Sequence, residues 1–147
     1  MRDELRIVPM DETNYTDAAR LARENLREGW SEKTYEEQLK NPSDRTYIAY
    51  FGEQACGFLS AWYVLDEIEI NNVAVEKDFR RLGIGRKLFE RLFEDLPEAE
   101  RTVLEVRESN AAAIGLYKSL GFVQAGIRKG LYSHPDENGL VMIREKG

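Results

Sequence analysis

A short basic loop that contains two glycines constrains the fold of this chain more than any other stretch. Residues 80–85 read RRLGIG, follow a mainly apolar run at residues 72–75 and precede an amphipathic pattern at residues 88–96 that is typical of a helix. A loop that leads from a strand into a helix leaves the first helical amides unpaired, and the helix dipole favours an anion there. Four cations lie in or beside the loop: Arg80, Arg81, Arg86 and Lys87. The stretch therefore predicts an anion-binding site that a phosphate fits.

Two familiar nucleotide-binding loops match this stretch poorly. It lacks the Gly-Lys-Ser/Thr ending of the P-loop, and Leu88 stands where the dinucleotide fingerprint has a third small residue. A plainer alternative is that Gly83 and Gly85 only turn a strand into a helix beside solvated arginines.

Composition limits the class of protein and of partner. The 147 residues suit one domain, and 42% hydrophobic with 33% charged residues is typical of soluble globular proteins. A net charge of −6 argues against nucleic-acid or membrane binding and favours a cationic substrate. A single cysteine excludes an intrachain disulfide, and its apolar surroundings at residues 56–59 predict a buried Cys56. Because no signal peptide or membrane-length apolar run is found, we expect a cytoplasmic protein.

The remaining pattern alternates between strand and helix signals. Helices are predicted from Asp11 or Thr13 to Gly29, from a cap at Ser31 to Asn41, after the basic loop to Leu96, and from a cap at Ser109 or Asn110 to Gly121. Strands are predicted at residues 5–8, 46–51, 55–65, 67–75, 102–107, 122–127 and 140–143, of which 46–75 form three sequential antiparallel strands. One compact α/β domain over residues 1–147 follows, without repeats or linkers.

Two long stretches resemble one enzyme family. Arg80-x-x-Gly83-x-Gly85 resembles the acetyl-CoA signature of the GCN5-related N-acetyltransferase (GNAT) superfamily, and residues 104–122 resemble the second half of that signature. Residues 104–122 and 30–35 are similar to the branch that acetylates the N-terminal alanine of ribosomal proteins. The resemblance covers about residues 5–145. It implies a GNAT-type domain with a mixed, mostly antiparallel sheet of about seven strands, flanked by about four helices.

The resemblance also implies a cofactor site. Acetyl-CoA would place its pyrophosphate on loop amides and its pantetheine arm along the strand before the loop, where an open edge can bind amide groups. The implied cofactor-binding residues are Val73, Ala74, Val75, Arg81, Leu82, Gly83, Ile84, Gly85, Arg86 and Asn110. No group of residues has the spacing of a metal site.

Acetyl transfer needs a base for the amine and an acid for the departing thiolate. By resemblance Tyr117, two helical turns after Asn110, is the acid, and the alternative is an aromatic that only packs in the core. Glu105, in the middle of a predicted strand, is the base by resemblance, and the alternative is a structural ion pair with Arg101, Arg107 or another cation. Glu69 is the rival base.

The acceptor side of the site is less regular. Trp30, Glu69 and Tyr132 are the candidate substrate-binding residues, although a single tyrosine stands where the branch usually has two in succession. We expect direct acetylation of a cationic ribosomal-protein N-terminus by a monomer or weak dimer. The alternatives are acetylation of a lysine or small amine, a non-catalytic coenzyme A sensor, and a structural domain that binds some phosphate.

Overall fold

The computed structural model describes residues 4–146 and contains one sheet with helices on both faces. The strands are β1 (Leu5–Pro9), β2 (Asp44–Phe51), β3 (Gln54–Val64), β4 (Glu67–Val75), β5 (Arg101–Arg107), β6 (Val123–Tyr132) and β7 (Glu137–Glu145). The helices are α1 (Tyr15–Asn25), α2 (Glu32–Gln38), α3 (Ile84–Asp95) and α4 (Ala111–Ser119), with a 3-10 turn at Lys77–Phe79. None of the helices in this part of the chain is long and apolar enough to cross a membrane.

The strand order is β1-β2-β3-β4-β5-β7-β6, and every neighbouring pair is antiparallel except β4 and β5. This arrangement confirms the predicted mixed, mostly antiparallel sheet and its three sequential strands, β2 to β4. Antiparallel neighbours can be joined by tight turns, whereas the parallel pair needs the crossover that α3 provides.

The sheet separates two apolar clusters. Leu88, Phe89 and Leu92 of α3 pack on one face, and Leu21 of α1 with Tyr35 of α2 packs on the other. Strands β2 and β3 are therefore buried on both sides over most of their length, which explains the mainly apolar runs at residues 47–51 and 55–62.

The parallel pair β4–β5 is short, and this splits the middle of the sheet. Only Glu67–Glu69 pairs with Arg101–Val103, after which the strands diverge. On its other side β4 carries a bulge: Ile70 pairs with Ala61 and Asn72 with Ser60, so Asn71 is an extra residue. A bulge bends its strand and increases the local twist. The edge of β4 that faces β5 is therefore unpaired over residues 70–75.

The first helix differs from its prediction. It begins at Tyr15, after Asn14, because the Asp11 carboxylate accepts hydrogen bonds from Thr13 N (2.8 Å) and Thr13 Oγ1 (2.5 Å) in a local turn and does not cap the helix. It also ends at Asn25, before Gly29. The Ser31 cap of α2 is confirmed, since its Oγ accepts from Thr34 N.

The last two strands are longer than predicted. Strand β6 continues to Tyr132 and β7 begins at Glu137, so the polar turn between them is shorter than the predicted residues 133–139. Pairing between Tyr132 and Glu137 extends the hairpin into the segment expected to be a loop.

Cys56 is confirmed as a core residue. It is fully buried, and its Sγ donates to Ala49 O. Burial raises the pKa of the thiol to about 11, so it stays protonated at neutral pH.

Replacing Phe89 with alanine should destabilise the fold strongly. Its ring is fully buried, 5.7 Å from the Tyr117 ring centroid and 6.0 Å from that of Phe122. We expect a loss of about 3–5 kcal/mol in the free energy of unfolding, measured by urea denaturation. The control Val64→Ala, at a side chain that is 53% exposed, should change it by less than about 0.5 kcal/mol. Equal effects of the two substitutions would contradict the packing described.

Candidate active site

Two cavities meet where β4 and β5 separate. The first, of about 650 Å³, follows the unpaired edge of β4 and the beginning of α3. The second, of about 240 Å³, lies in the split between the two strands. Asn110 and Tyr117 of the α4 region line both, so these side chains lie at the junction.

The loop before α3 has the backbone geometry of an anion site. Arg81 (φ 69°) and Gly83 (φ 78°) are both left-handed, and Gly83 is the N-cap of α3. No side chain within residues 4–146 caps this helix, whose first backbone bond is donated by Lys87 N to Gly83 O at 3.0 Å. The amides of the first turn are thus left for a ligand.

Nine of the ten predicted cofactor residues line the first cavity, and Leu82 does not. The nine are Val73, Ala74, Val75, Arg81, Gly83, Ile84, Gly85, Arg86 and Asn110. Leu82 lies within the loop with its side chain 57% exposed, so only its backbone is a candidate contact.

Helix α4 positions Asn110 and Tyr117 on one face. Asn110 Oδ1 accepts from Ala113 N at 3.2 Å, which confirms it as the helix cap. Tyr117 is only 8% exposed, and its ring packs on Phe89 and Phe122. Burial, followed by the nearby Tyr132, raises the pKa of Tyr117 to about 12. The phenol is therefore protonated at neutral pH and can serve as a proton donor.

Glu105 faces the split. Its neighbours Leu104 and Val106 are buried, whereas the Glu105 side chain is 35% exposed and lines the second cavity with Tyr117. Its partner is Arg128 on β6, whose Nη1 lies 2.5 Å from Glu105 Oε2. The structural alternative named Arg101, Arg107 or another cation. Arg101 pairs with Glu145 and Arg107 with Glu28 and Glu137, so the ion pair of Glu105 is with another cation, Arg128.

The rival Glu69 lies at the point where the strands part, in the last β4–β5 register pair. It shares with Glu105 an outer cavity of about 530 Å³ that Glu28 and Tyr132 also line. Glu69 does not line the smaller cavity with Tyr117, whereas Glu105 does. Glu105 is therefore the better placed of the two for chemistry beside the phenol.

The predicted acceptor residues lie at the rim of the split. Trp30, in the loop between α1 and α2, lines the second cavity and stacks on Trp62 with centroids 5.7 Å apart. Tyr132, at the end of β6, lines the second and outer cavities beneath the Arg107 guanidinium, 4.6 Å from its ring centroid. Burial raises the pKa of Tyr132 to about 12.

Sequence reasoning missed four polar residues that line the second cavity: Glu28, Asn71, Asn72 and Arg107. The side-chain amide nitrogens (Nδ2) of Asn71 and Asn72 are buried and have no hydrogen-bond partner within the described residues. Two adjacent asparagines, which break the alternation of polar and apolar residues at 67–70, were a detectable signal of this bulge. Glu28 carried no comparable signal, because its partner is distant in sequence.

Comparison with known proteins identifies the family. The model of the acetyltransferase (GNAT) family matches residues 15–122. The [ribosomal protein bS18]-alanine N-acetyltransferase of Escherichia coli K12 is 40% identical over 117 residues, which cover 77% of this chain and 78% of that one.

Solved structures agree with the sequence relatives. The crystal structure of the ribosomal-protein-S18-alanine N-acetyltransferase from Escherichia coli superposes with a TM-score of 0.89 at 32% identity, covering 98% of this chain and 95% of the other. Arabidopsis thaliana NAA60 in complex with acetyl-CoA shares the fold, with a TM-score of 0.85 at 16% identity and coverages of 97% and 99%. The chain belongs to the GNAT acetyltransferase family.

Proposed function

We propose that the protein is an acetyl-CoA-dependent Nα-acetyltransferase that acts on the N-terminal alanine of a small-subunit ribosomal protein. The observation that carries the proposal is the meeting of two cavities at Tyr117, with a phosphate-type loop on one side and Glu105 on the other. The 40% identical relative that acetylates an alanine of ribosomal protein bS18 supports the choice of acceptor.

The first cavity suits the cofactor. The amides of residues 81–86 would hold the pyrophosphate, with Arg81 and Arg86 adding positive charge. The pantetheine arm would lie along the unpaired edge at residues 73–75 and satisfy its strand amides and carbonyls. Asn110 would contact the arm near the thioester.

The second cavity suits the reaction itself. The acceptor amine loses a proton to Glu105, directly or through a water, and its nitrogen forms a bond to the thioester carbonyl carbon. Collapse of the tetrahedral intermediate breaks the carbon–sulfur bond. Tyr117 then gives its proton to the thiolate, which leaves as coenzyme A, and the second proton lost by the acceptor nitrogen as it becomes a neutral amide restores the phenol. A carboxylate is intrinsically a weaker base than an amine, so placement must supply the efficiency of this proton transfer.

Charge favours a cationic acceptor. Glu28, Glu69 and Glu105 line the outer cavity, where Arg128 is the only cation among the lining residues. The whole chain carries a net charge of −6, which attracts a basic partner over longer distances. Trp30 and Tyr132 supply apolar walls for the first residues of the peptide.

A free-thiol release assay with acetyl-CoA tests the acceptor. The panel consists of peptides that begin with Ala, Ser or Met, a lysine peptide with a blocked N-terminus, and polyamines. We expect turnover of the alanine peptide above all others. Turnover of the blocked lysine peptide alone would refute N-terminal specificity, and acetyl-CoA binding without any thiol release would favour the non-catalytic sensor.

Gly83→Val should weaken acetyl-CoA binding without unfolding the protein. A β-branched residue is strained at φ 78°, although no atom lies within 4 Å of an added Cβ. We expect the dissociation constant measured by calorimetry to rise at least about tenfold, because each lost charge-assisted hydrogen bond removes roughly 1.5–3 kcal/mol. Gly115→Val, in open space on α4 with a helical φ, is the matched control and should bind normally. Normal affinity of the Gly83 variant would count against the loop.

Tyr117→Phe should lower kcat by about 10²–10⁴-fold while acetyl-CoA affinity is kept, because only the proton donor is removed. Since the pKa of Tyr117 is raised to about 12, the wild-type rate should not fall on the alkaline side through this group below about pH 11. Steady-state kinetics between pH 6 and pH 10 measure both effects. A variant that retains the wild-type kcat would show that the ring only packs in the core.

Glu105→Gln and Glu69→Gln, compared under the same conditions, should separate the two candidate bases. We expect Glu105→Gln to lower kcat by about 10²-fold or more and to change the pH profile of kcat. Glu69→Gln should keep the wild-type pH profile. A lost profile in the Glu69 variant, with a normal one in the Glu105 variant, would reverse the assignment.

A further inference from the structure

We propose that Arg107 is a positioning residue that sets the spacing of the two loops on either side of the acceptor entrance. These loops are residues 26–31, between α1 and α2, and residues 133–136, between β6 and β7. The inference rests on the proposed function of the split between β4 and β5 as the acceptor site. Arg107 itself lies at the end of β5, two residues beyond Glu105.

Arg107 binds the first loop through one carboxylate. Its Nε and Nη2 lie 3.1 and 2.5 Å from Glu28 Oε1. Glu28 precedes Trp30 by two residues, and both line the second cavity. The position of the Trp30 wall therefore depends on the end of β5.

The same guanidinium binds the second loop. Nη2 donates to Ser133 O at 3.1 Å, and Nη1 donates to Pro135 O at 3.0 Å and to Glu137 Oε1 at 3.1 Å. Its plane lies over the Tyr132 ring. One side chain thus contacts both sides of the entrance. The two loops are also joined directly by a charge-assisted hydrogen bond from Arg27 Nη1 to His134 O (2.8 Å).

The network continues to the helix that carries the phenol. Glu137 Oε2 accepts from Ser109 N at 2.6 Å, immediately before the Asn110 cap. This hydrogen bond, with that from Arg107, holds the pKa of Glu137 below its ordinary value, so the pair is charged at neutral pH. The entrance and the start of α4 are therefore joined through Glu137.

Lysine cannot replace this arginine. The Arg107 side chain is 15% exposed and serves four acceptors through a planar fork, whereas an ammonium is a point charge with three donors on a flexible stem. Arg107→Lys keeps the charge but releases at least part of one loop.

The test is the kinetic effect of Arg107→Lys on the acceptor and on the cofactor separately. We expect the KM for the alanine peptide to rise about tenfold, since small displacements of positioning groups have large effects, while the acetyl-CoA dissociation constant is unchanged. Arg101→Lys is the matched control on the same strand. Its exposed pair with Glu145 lines neither cavity, so this variant should leave both constants unchanged. An unchanged peptide KM in the Arg107 variant, or an equal loss for peptide and cofactor, would overturn the inference.

A fluorescence measurement tests loop position without activity. In a Trp62→Phe background Trp30 is the only tryptophan of the chain. Arg107→Lys should increase acrylamide quenching of Trp30, and Arg101→Lys should not. Unchanged quenching would overturn the inference. If no peptide is acetylated by the parent protein, the proposed function fails, and this comparison still decides the role of Arg107.

Glu28→Gln is the second variant, and it decides the matter if Arg107→Lys does not fold. Its side chain is 47% exposed, so we expect it to fold normally. It should raise both the peptide KM and the quenching of Trp30. A higher KM with unchanged quenching would mean that Glu28 contacts the peptide directly, which would contradict the role given to Arg107.

Discussion

The early separation of β4 from β5 is the constraint on which the rest of this structure depends. If β4 and β5 paired over their full length, the backbone of β5 would take up the hydrogen bonds of the β4 edge. No gap would then remain in the centre of the sheet. Here pairing stops after three residues, and the bulge at Asn71 bends β4 away. The unpaired edge becomes available to an amide-containing ligand, and the space beside it becomes the second cavity. The same break places Glu105 across the split from that edge.

The half of the site formed by neighbours in sequence could be predicted from the sequence. The loop at residues 80–85 shows its glycines, its cations and the following helix within a few positions, and Asn110 shows its capping role in the same way. Such signals are local, since backbone amides and caps involve residues three or four positions apart. Strands β2 to β4 could also be predicted, because only short turns separate them.

The half formed by long-range contacts could not be predicted. Glu105 pairs with Arg128, 23 positions away, and Arg107 binds Glu28 across 79 positions. Strand order and register decide which charged residues form ion pairs, and neither can be read from a single sequence. The predicted start of α1 was wrong for a local reason. The Asp11 carboxylate accepts a hydrogen bond from Thr13 N and does not cap the helix.

The two candidate proton carriers differ in environment in the way that acetyl transfer demands. Tyr117 lies among aromatic rings, where burial raises the pKa of the phenol and keeps it protonated at neutral pH, as the proposed proton donor must be. Glu105 lies on the open side of the split beside Arg128, where a proton taken from an ammonium can pass on to solvent. A base buried beside Tyr117 would have to keep that proton, and an acid at the exposed rim would compete with water for the thiolate. In the mechanism that we propose, the buried half of the site holds the acid and the open half holds the base. A proton from the amine then passes to solvent, while the phenol supplies a proton to coenzyme A.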